Sequence, residues 1–340
     1  MKKLLILGIV SLLFLGCNDT KKQKKDTQVV PEYTALQQSA KSIFGKLPLI
    51  AENSANPISN EKVLLGKTLF FENRLSKDNT ESCNTCHNLK TYGVDNLSTS
   101  PGNDGGFGAR NSPSVYNAAL HIAQFWDGRE PDVEAQAGGP MLNPVEMAMP
   151  SEKKVISRLS KIESYQKLFK DAYPEDKDPI SFKNIKNAIG AFERKLITPS
   201  KFDNFIAGDV NALTKTEKEG LQLFIDKGCI ACHSGKAIGG NIFQKFGVYD
   251  DYWKYTKSKK IDNGKYDVTK KESDKYVFKS ASLRNVAKTY PYFHDGSVSN
   301  LDEAVKIMGK VQLNKDLTVE ETTAIVAFLN SLTGELPKDI

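Results

Sequence analysis

Long apolar runs, a strong charge of one sign and strand-like alternation are all scarce in this chain of 340 residues. The one extended apolar run, Leu4 to Leu15, is too short to span a bilayer comfortably, which argues against a transmembrane helix. The formal net charge is only +6, and loss of Lys2 and Lys3 with a cleaved leader lowers it by two, so bulk charge gives no reason to propose nucleic acid as a partner. Low-complexity sequence is confined to one lysine-rich stretch near the start. Cysteines number five and histidines four, so each one that falls into a pattern carries weight.

Two such patterns stand out. Cys83-Asn84-Thr85-Cys86-His87 places two thiols two residues apart with an imidazole directly after. That arrangement suits covalent attachment of haem: each sulfur adds to one vinyl group, and the histidine turns inward to bind iron. One copy alone would suit a redox dithiol or half a zinc site equally well. The pattern recurs, however, as Cys229-Ile230-Ala231-Cys232-His233. A four-cysteine zinc site draws on closer ligand pairs and asks for no histidine at that place. The reading is therefore two c-type haems, with His87 and His233 as proximal ligands. Four cysteines go to haem, leaving Cys17, and no disulfide is needed although an exported compartment would permit one.

Residues 1–16 have the parts of an export signal: Lys2 and Lys3, the apolar run, and small Gly16 before Cys17. A cysteine in that place reads as a lipoprotein signal in which Cys17 is lipidated and becomes the mature N-terminus, holding the protein on the periplasmic side of a membrane. Residues 17–35, with Lys21, Lys22, Lys24 and Lys25, read as a disordered tether. The remainder is long enough for two domains: 36–205 around the first haem motif and 206–340 around the second, with the final helix free to pack back on the first domain.

Apolar spacing makes the chain mostly α, with long loops around Gly102–Gly108 and Asp250–Lys279. The spacing predicts helices over Val155–Phe169 and Phe182–Leu196, and a last helix capped by Thr318 and Glu321 and stopped by Gly334 and Pro337. A weak internal repeat sets Gly66-Lys67-Thr68-Leu69-Phe70 before the first motif and Gly220-Leu221-Gln222-Leu223-Phe224 before the second, the latter in a helix opened by Thr216 and Glu219. A helix feeding C-x-x-C-H is what a cytochrome c unit looks like.

Longer motifs surround the two haem sites. After the first come Gln124-Phe125-Trp126-Asp127-Gly128-Arg129 and Asn143-Pro144-Val145-Glu146-Met147; after the second come Leu283-Arg284-Asn285, Thr289-Tyr290-Pro291-Tyr292-Phe293-His294-Asp295-Gly296 and Glu303-Ala304-Val305-Lys306-Ile307-Met308. In this order, from about residue 40 to the C-terminus, the chain resembles the bacterial di-haem cytochrome c peroxidase family, which also contains MauG-type enzymes. The resemblance implies two cytochrome c-like domains and reduction of hydrogen peroxide to water at the N-terminal haem. Electrons would come from a small cytochrome or a cupredoxin and enter at the C-terminal haem. It makes His233 and Met308 the axial pair of the electron-entry haem, a thioether suiting a high potential. Trp126 becomes a bridge between the haems, Glu146 the distal acid–base group, and Gln136 a second distal-pocket group. It also implies a calcium ion held by Asn111, Thr289 and Pro291, and a homodimer.

The sequence departs from the family at one place. Many members carry, between the first haem motif and the Arg110-Asn111-Ser112-Pro113 segment, a histidine that caps the N-terminal iron in the oxidised enzyme; Asn103 stands there in this chain. Of the two histidines left over, His294 belongs to the Tyr292-Phe293-His294-Asp295-Gly296 motif, and His121 reads by default as a core or surface residue. The expectation is a first haem open to peroxide without prior reduction. Two alternatives stand beside the peroxidase: a MauG-type oxidase acting on a protein or other substrate, which would have tyrosine where Met308 stands, and a plain di-haem electron carrier. The lysines between Lys254 and Lys279 either dock an acidic donor near the second haem or belong to a solvated loop.

Overall fold

The computed structural model describes residues 32–338. The expected leader, most of the tether and Cys17 lie outside them. Among the described residues, no helix is long and apolar enough to cross a membrane, and strands are confined to one antiparallel pair, Phe243–Lys245 with Val277–Lys279.

Two helix pairs organise the molecule. In the first half, Asn60–Phe70 lies against Phe182–Glu193; in the second, Lys215–Asp226 lies against Val319–Ser331. Each pair makes its closest approach at a glycine. A Cβ on Gly66 would sit 1.8 Å from the Ala188 carbonyl oxygen and 2.9 Å from Phe192 Cβ. A Cβ on Gly220 would sit 1.8 Å from the Ala324 oxygen and 3.0 Å from Phe328 Cβ. One helical turn on, Phe70 meets Phe192 with ring centroids 5.4 Å apart, and Phe224 meets Phe328 at 5.3 Å. The weak repeat in the sequence is thus a repeat of helix crossings.

Around the first crossing, Leu65, Leu69, Met141, Ile185 and Ile189 form one apolar core; around the second, Leu221, Ile307, Val311, Ile325 and Leu329 form another. The caps follow side-chain chemistry. Ser59, Ser181 and Asp132 each accept a backbone N–H from the first turn of the helix they open. Thr318 and Glu321 make the expected capping box. The helix before the second haem motif starts two residues earlier than predicted, with Thr214 and Glu217 as the box. The predicted helix over Val155–Phe169 is two, Glu152–Leu159 and Glu163–Ala172, because Ile162 adopts extended backbone. The break lets Val155 and Leu159 of one helix and Tyr165 and Phe169 of the next enter the same core.

The chain ends are exchanged between the halves. Helix Glu32–Phe44, which starts in the range read as tether and runs into that assigned to the first domain, places Leu36, Ala40 and Phe44 in the second core, with Phe44 against Phe202 at 5.4 Å. The final helix stays with the second core, but beyond it Gly334 bridges to Ser200 and Leu336 packs on the first. A buried polar knot ties the halves where they meet. Thr198 Oγ1 accepts from Asn117 Nδ2 at 2.7 Å and from Asn285 Nδ2 at 3.0 Å. Both asparagines are fully buried and left-handed (φ 61° each), a conformation asparagine tolerates.

In the first half, Glu134 and Arg194 form a bidentate pair at 2.6 and 2.7 Å that joins Val133–Leu142 to the end of Phe182–Glu193. Burial alone would raise the Glu134 carboxyl, but Arg194 and Asn56 hold it below the ordinary carboxylate value. Glu134→Ala leaves Arg194 buried and unpaired, and is expected to cost about 3–5 kcal/mol of stability. Gly220→Ala forces the helix pair apart and is expected to cost about 3 kcal/mol. Gly106→Ala, which meets open space, is expected to stay within about 0.5 kcal/mol. Equilibrium denaturation checks all three.

Candidate functional site

Both haem motifs fold as single tight turns. Cys83–Cys86 is one helical turn, steadied by the Ser82 N–H donating to Thr85 Oγ1 at 3.0 Å and closed by His87 N–H to the Cys83 carbonyl at 2.9 Å. In the second motif the His233 N–H reaches the Cys229 carbonyl at 3.0 Å. A spacing of three residues puts both sulfurs of a motif on one side of the turn. None of the four motif cysteines is in a disulfide. Burial pushes Cys83 up to about 12 and Cys86 and Cys229 to about 11, so the sulfurs are uncharged.

Cys83, Cys86 and His87 line a cavity of about 950 Å³, at the upper end of the range for small-molecule and cofactor sites. Val133–Leu142 and the turn after it bring Gln136, Pro140, Asn143 and Glu146 into the wall of the same cavity. The turn is built on Asn143: the Glu146 and Ala148 N–H groups donate to its carbonyl at 3.0 and 2.9 Å, and its Nδ2 donates to Glu146 Oε1 at 2.9 Å. Burial raises the Glu146 carboxyl above its ordinary value, against the opposing pull of Arg129 and the Asn143 hydrogen bond. Arg129 itself stacks on Phe125 and pairs with Asp127 at 2.9 Å.

The loop over this cavity turns Asn103 outward. Its Oδ1 accepts the Asp78 N–H at 3.0 Å and its Nδ2 donates to Asp78 Oδ2 at 2.8 Å, on the exposed side. Its own N–H donates to the Glu146 carbonyl at 2.7 Å, and Gly102 presses so closely that a Cβ there would lie 2.1 Å from the Val145 oxygen. The loop therefore backs the Glu146 turn, and the Asn103 side chain is not in the cavity wall.

A second, smaller cavity of about 200 Å³ is lined by Cys229, Cys232, His233 and Met308, with Phe224, Phe246, Tyr292 and Leu329 making it apolar. Helix Leu301–Leu313 presents Met308. His233 Nδ1 lies 3.0 Å from the Ala281 carbonyl, which fixes the proton on Nδ1 and leaves Nε2 free to bind a metal. Burial lowers the imidazole to about 4, so it is neutral, as ligation requires. Sulfur pairs facing cavities, neutral imidazoles and an apolar lining opposite a thioether all fit c-type haems.

Three residues line both cavities: Trp126, Lys279 and His294. Trp126 Nε1 donates to the Asn111 carbonyl at 2.9 Å, Asn111 N–H donates to the His294 carbonyl at 2.7 Å, and the Lys279 N–H donates to the Trp126 carbonyl at 2.8 Å. Asn111 is thereby brought to the segment that holds Thr289 and Pro291, to which Asn96 is also bonded through the Tyr290 carbonyl at 2.8 Å. His121 lines the first cavity and packs against Gly240 and Lys279.

Several site residues escape sequence reading. Arg110 joins Asp127 at 2.6 Å to Asp262 at 2.7 Å, clamping the Trp126 segment to the long second-half loop; nothing in the spacing of the three announces it. Glu193, buried and raised to about 8, borders the first cavity near Cys83. The lysine-rich loop does not form a patch at the second cavity. Lys257, Lys259 and Lys260 line the first, Lys254 pairs with Asp250 and Asp251, Lys275 pairs with Glu272, and Lys279 is buried.

Residues 60–211 match the family model described as di-haem cytochrome c peroxidase, and residues 217–333 match that of cytochrome c. The chain is 45% identical over 309 residues to cytochrome c551 peroxidase of Pseudomonas aeruginosa, covering 89% of this chain and 88% of that one. It is 43% identical over 306 residues to cytochrome c551 peroxidase of Nitrosomonas europaea, covering 89% of each. Among solved structures, a MauG-like protein associated with microbial copper homeostasis superposes with a TM-score of 0.75 at 29% identity, over 85% of this chain and 94% of that one. With two motif turns facing two cavities and relatives of this identity along most of its length, the chain belongs to the di-haem cytochrome c peroxidase family and carries two c-type haems.

Proposed function

We propose that the protein reduces hydrogen peroxide to water in the cavity shared by His87 and Glu146. Electrons would arrive from a small cytochrome or copper protein by way of the second haem, held by His233 and Met308. The observation that carries this reading is that a raised carboxyl and the proximal histidine line one cavity while the loop residue Asn103 is tied to Asp78 outside it.

The haem of the first cavity, when bound, supplies an iron that takes up peroxide and exchanges electrons with it. The protein's part is proton handling. A Glu146 carboxylate oxygen takes the proton from the near peroxide oxygen and delivers it to the far one, which leaves as water. Two electrons and two further protons complete the conversion to a second water. Asn143 orients the carboxyl through its 2.9 Å bond to Oε1, and Gln136, on the same wall, binds peroxide or the water formed. Trp126 offers a polarizable bridge on the wall common to both cavities. Met308 in the second cavity favours this reading over a MauG-type oxidase, since a thioether raises the potential of an electron-receiving site.

Three further parts belong to the proposal. A calcium ion held by Asn111, Thr289 and Pro291 would stiffen the meeting of the two halves; the Asn96 and Asn111 hydrogen bonds that already join those segments support it. Export with a lipid on Cys17 agrees with c-type haem attachment outside the cytoplasm. Dimer formation rests on family habit.

An electron paramagnetic resonance spectrum of the fully oxidised holoprotein tests the open site. A high-spin ferric signal that disappears on adding peroxide without reductant is expected; two low-spin signals inert to peroxide would sink the idea. Glu146→Gln is expected to lower kcat by about 10²–10⁴-fold with both haems retained. Because burial raises the Glu146 carboxyl and the ionised form acts as the base, wild-type turnover should climb with pH through a point above the ordinary carboxylate value. That acid limb should vanish in the glutamine variant.

A further inference from the structure

We propose that Lys279 receives a haem carboxylate on the wall common to the two haem cavities, so that one ammonium sets the reduction potentials of both haems. The inference rests on the presence of two haems and not on the peroxide chemistry proposed above.

Lys279 ends the strand Val277–Lys279, and its backbone N–H donates to the Trp126 carbonyl at 2.8 Å, so its position is fixed from both sides of the chain. It is 7% exposed and lines both cavities. Among the described residues no carboxylate lies within ion-pair distance of it. Its Nζ contact is His121 Nδ1 at 3.3 Å.

His121 cannot supply the missing charge. Its ring is wedged against Gly240, where a Cβ would come within 2.4 Å of Cδ2, and its Nε2 is buried without a partner. Burial, and then the Lys279 ammonium, hold the imidazole well below its ordinary value. It is therefore neutral, with Nδ1 as acceptor and Nε2 carrying the proton. A neutral ring orients the ammonium and leaves its charge uncompensated.

A buried cation without an anion is costly, and burial already pushes Lys279 down to about 8. Of the three donors on an ammonium, His121 accepts one and two remain. What fills the cavities on either side brings ionised carboxylates of its own. A carboxylate bonded to Lys279 supplies the missing charge and keeps the lysine protonated. A positive charge at that place also favours the more electron-rich state of any iron within reach, and the low dielectric of the shared wall extends that reach to both.

The test is a spectroelectrochemical titration of both haems in the purified holoenzyme, for wild type, Lys279→Met and Lys279→Arg. The methionine variant is expected to shift both reduction equilibria about tenfold toward the oxidised form, 59 mV for one electron, and the arginine variant to recover most of that shift. Resonance Raman bands of the haem carboxylates are expected to move in the methionine variant and return in the arginine variant. If the methionine variant fails to load haem, Lys279→Gln replaces it, keeping a donor while removing the charge, with the same fall expected at both haems. Unchanged potentials, a shift at one haem only, equal shifts for methionine and arginine, or unmoved carboxylate bands would each overturn the proposal.

Discussion

In each half of the protein, two helices meet backbone to backbone at a glycine. Gly66 rides on the Ala188 carbonyl and Gly220 on the Ala324 carbonyl. Any side chain at either glycine would hold the helices apart, because the atom it would meet is a carbonyl oxygen that cannot swing away. The crossing sets where the leading helix ends, and so where the following Cys-x-x-Cys-His turn begins relative to its core. Phe70 on Phe192 and Phe224 on Phe328 then fix the rotation of each pair about that point. Asn117 and Asn285 extend the correspondence. Each is left-handed, each donates its backbone N–H to a leucine carbonyl just past the second helix of its own pair, Leu196 or Leu332, and both meet on Thr198.

On this repeated frame the two sites diverge through what closes them. The first half closes its cavity with a polar turn, where Asn143 holds Glu146 and the Gly102–Asn103 loop backs it from outside. The second half closes with helix Leu301–Leu313, whose Met308 sits among aromatic and aliphatic side chains. The first cavity is roomier and more polar, the second tight and apolar, a contrast that the proposed split between peroxide chemistry and electron entry uses. Trp126, Lys279 and His294 stand between them, held to both halves by backbone hydrogen bonds.

Much of this was legible in the residues. The haem motifs, the helical character and the Gly-x-x-x-Phe repeat depend on local spacing, which survives folding unchanged. Where spacing admits two answers, the wrong one is easily taken. Thr214 with Glu217 and Thr216 with Glu219 are equally good boxes on paper, and the structure uses the first. The period through Val155–Phe169 is helical across a break that only the core demands. Contacts made by chain reversal were beyond reach. Arg110 with Asp262, Lys279 with His121, and the outward turn of Asn103 join residues far apart in sequence or depend on which way a loop faces. A run of lysines gives no hint that one member is buried between two cavities while others are neutralised by nearby aspartates and glutamates.

The exchange of chain ends bears on how the molecule is made. Helix Glu32–Phe44 is synthesised early, yet its apolar face fits a core built from Phe202, Leu221 and Phe328, and those residues emerge much later. Leu336, made after every helix of both halves, packs on the core whose helices were finished first. Neither half can close on its own. A newly made N-terminal half must wait with Leu36 and Phe44 uncovered, and a chain cut between the halves would separate each core from a piece of its own packing. The connectivity thus favours cooperative assembly: each haem-bearing half completes its packing with a segment carried by the other.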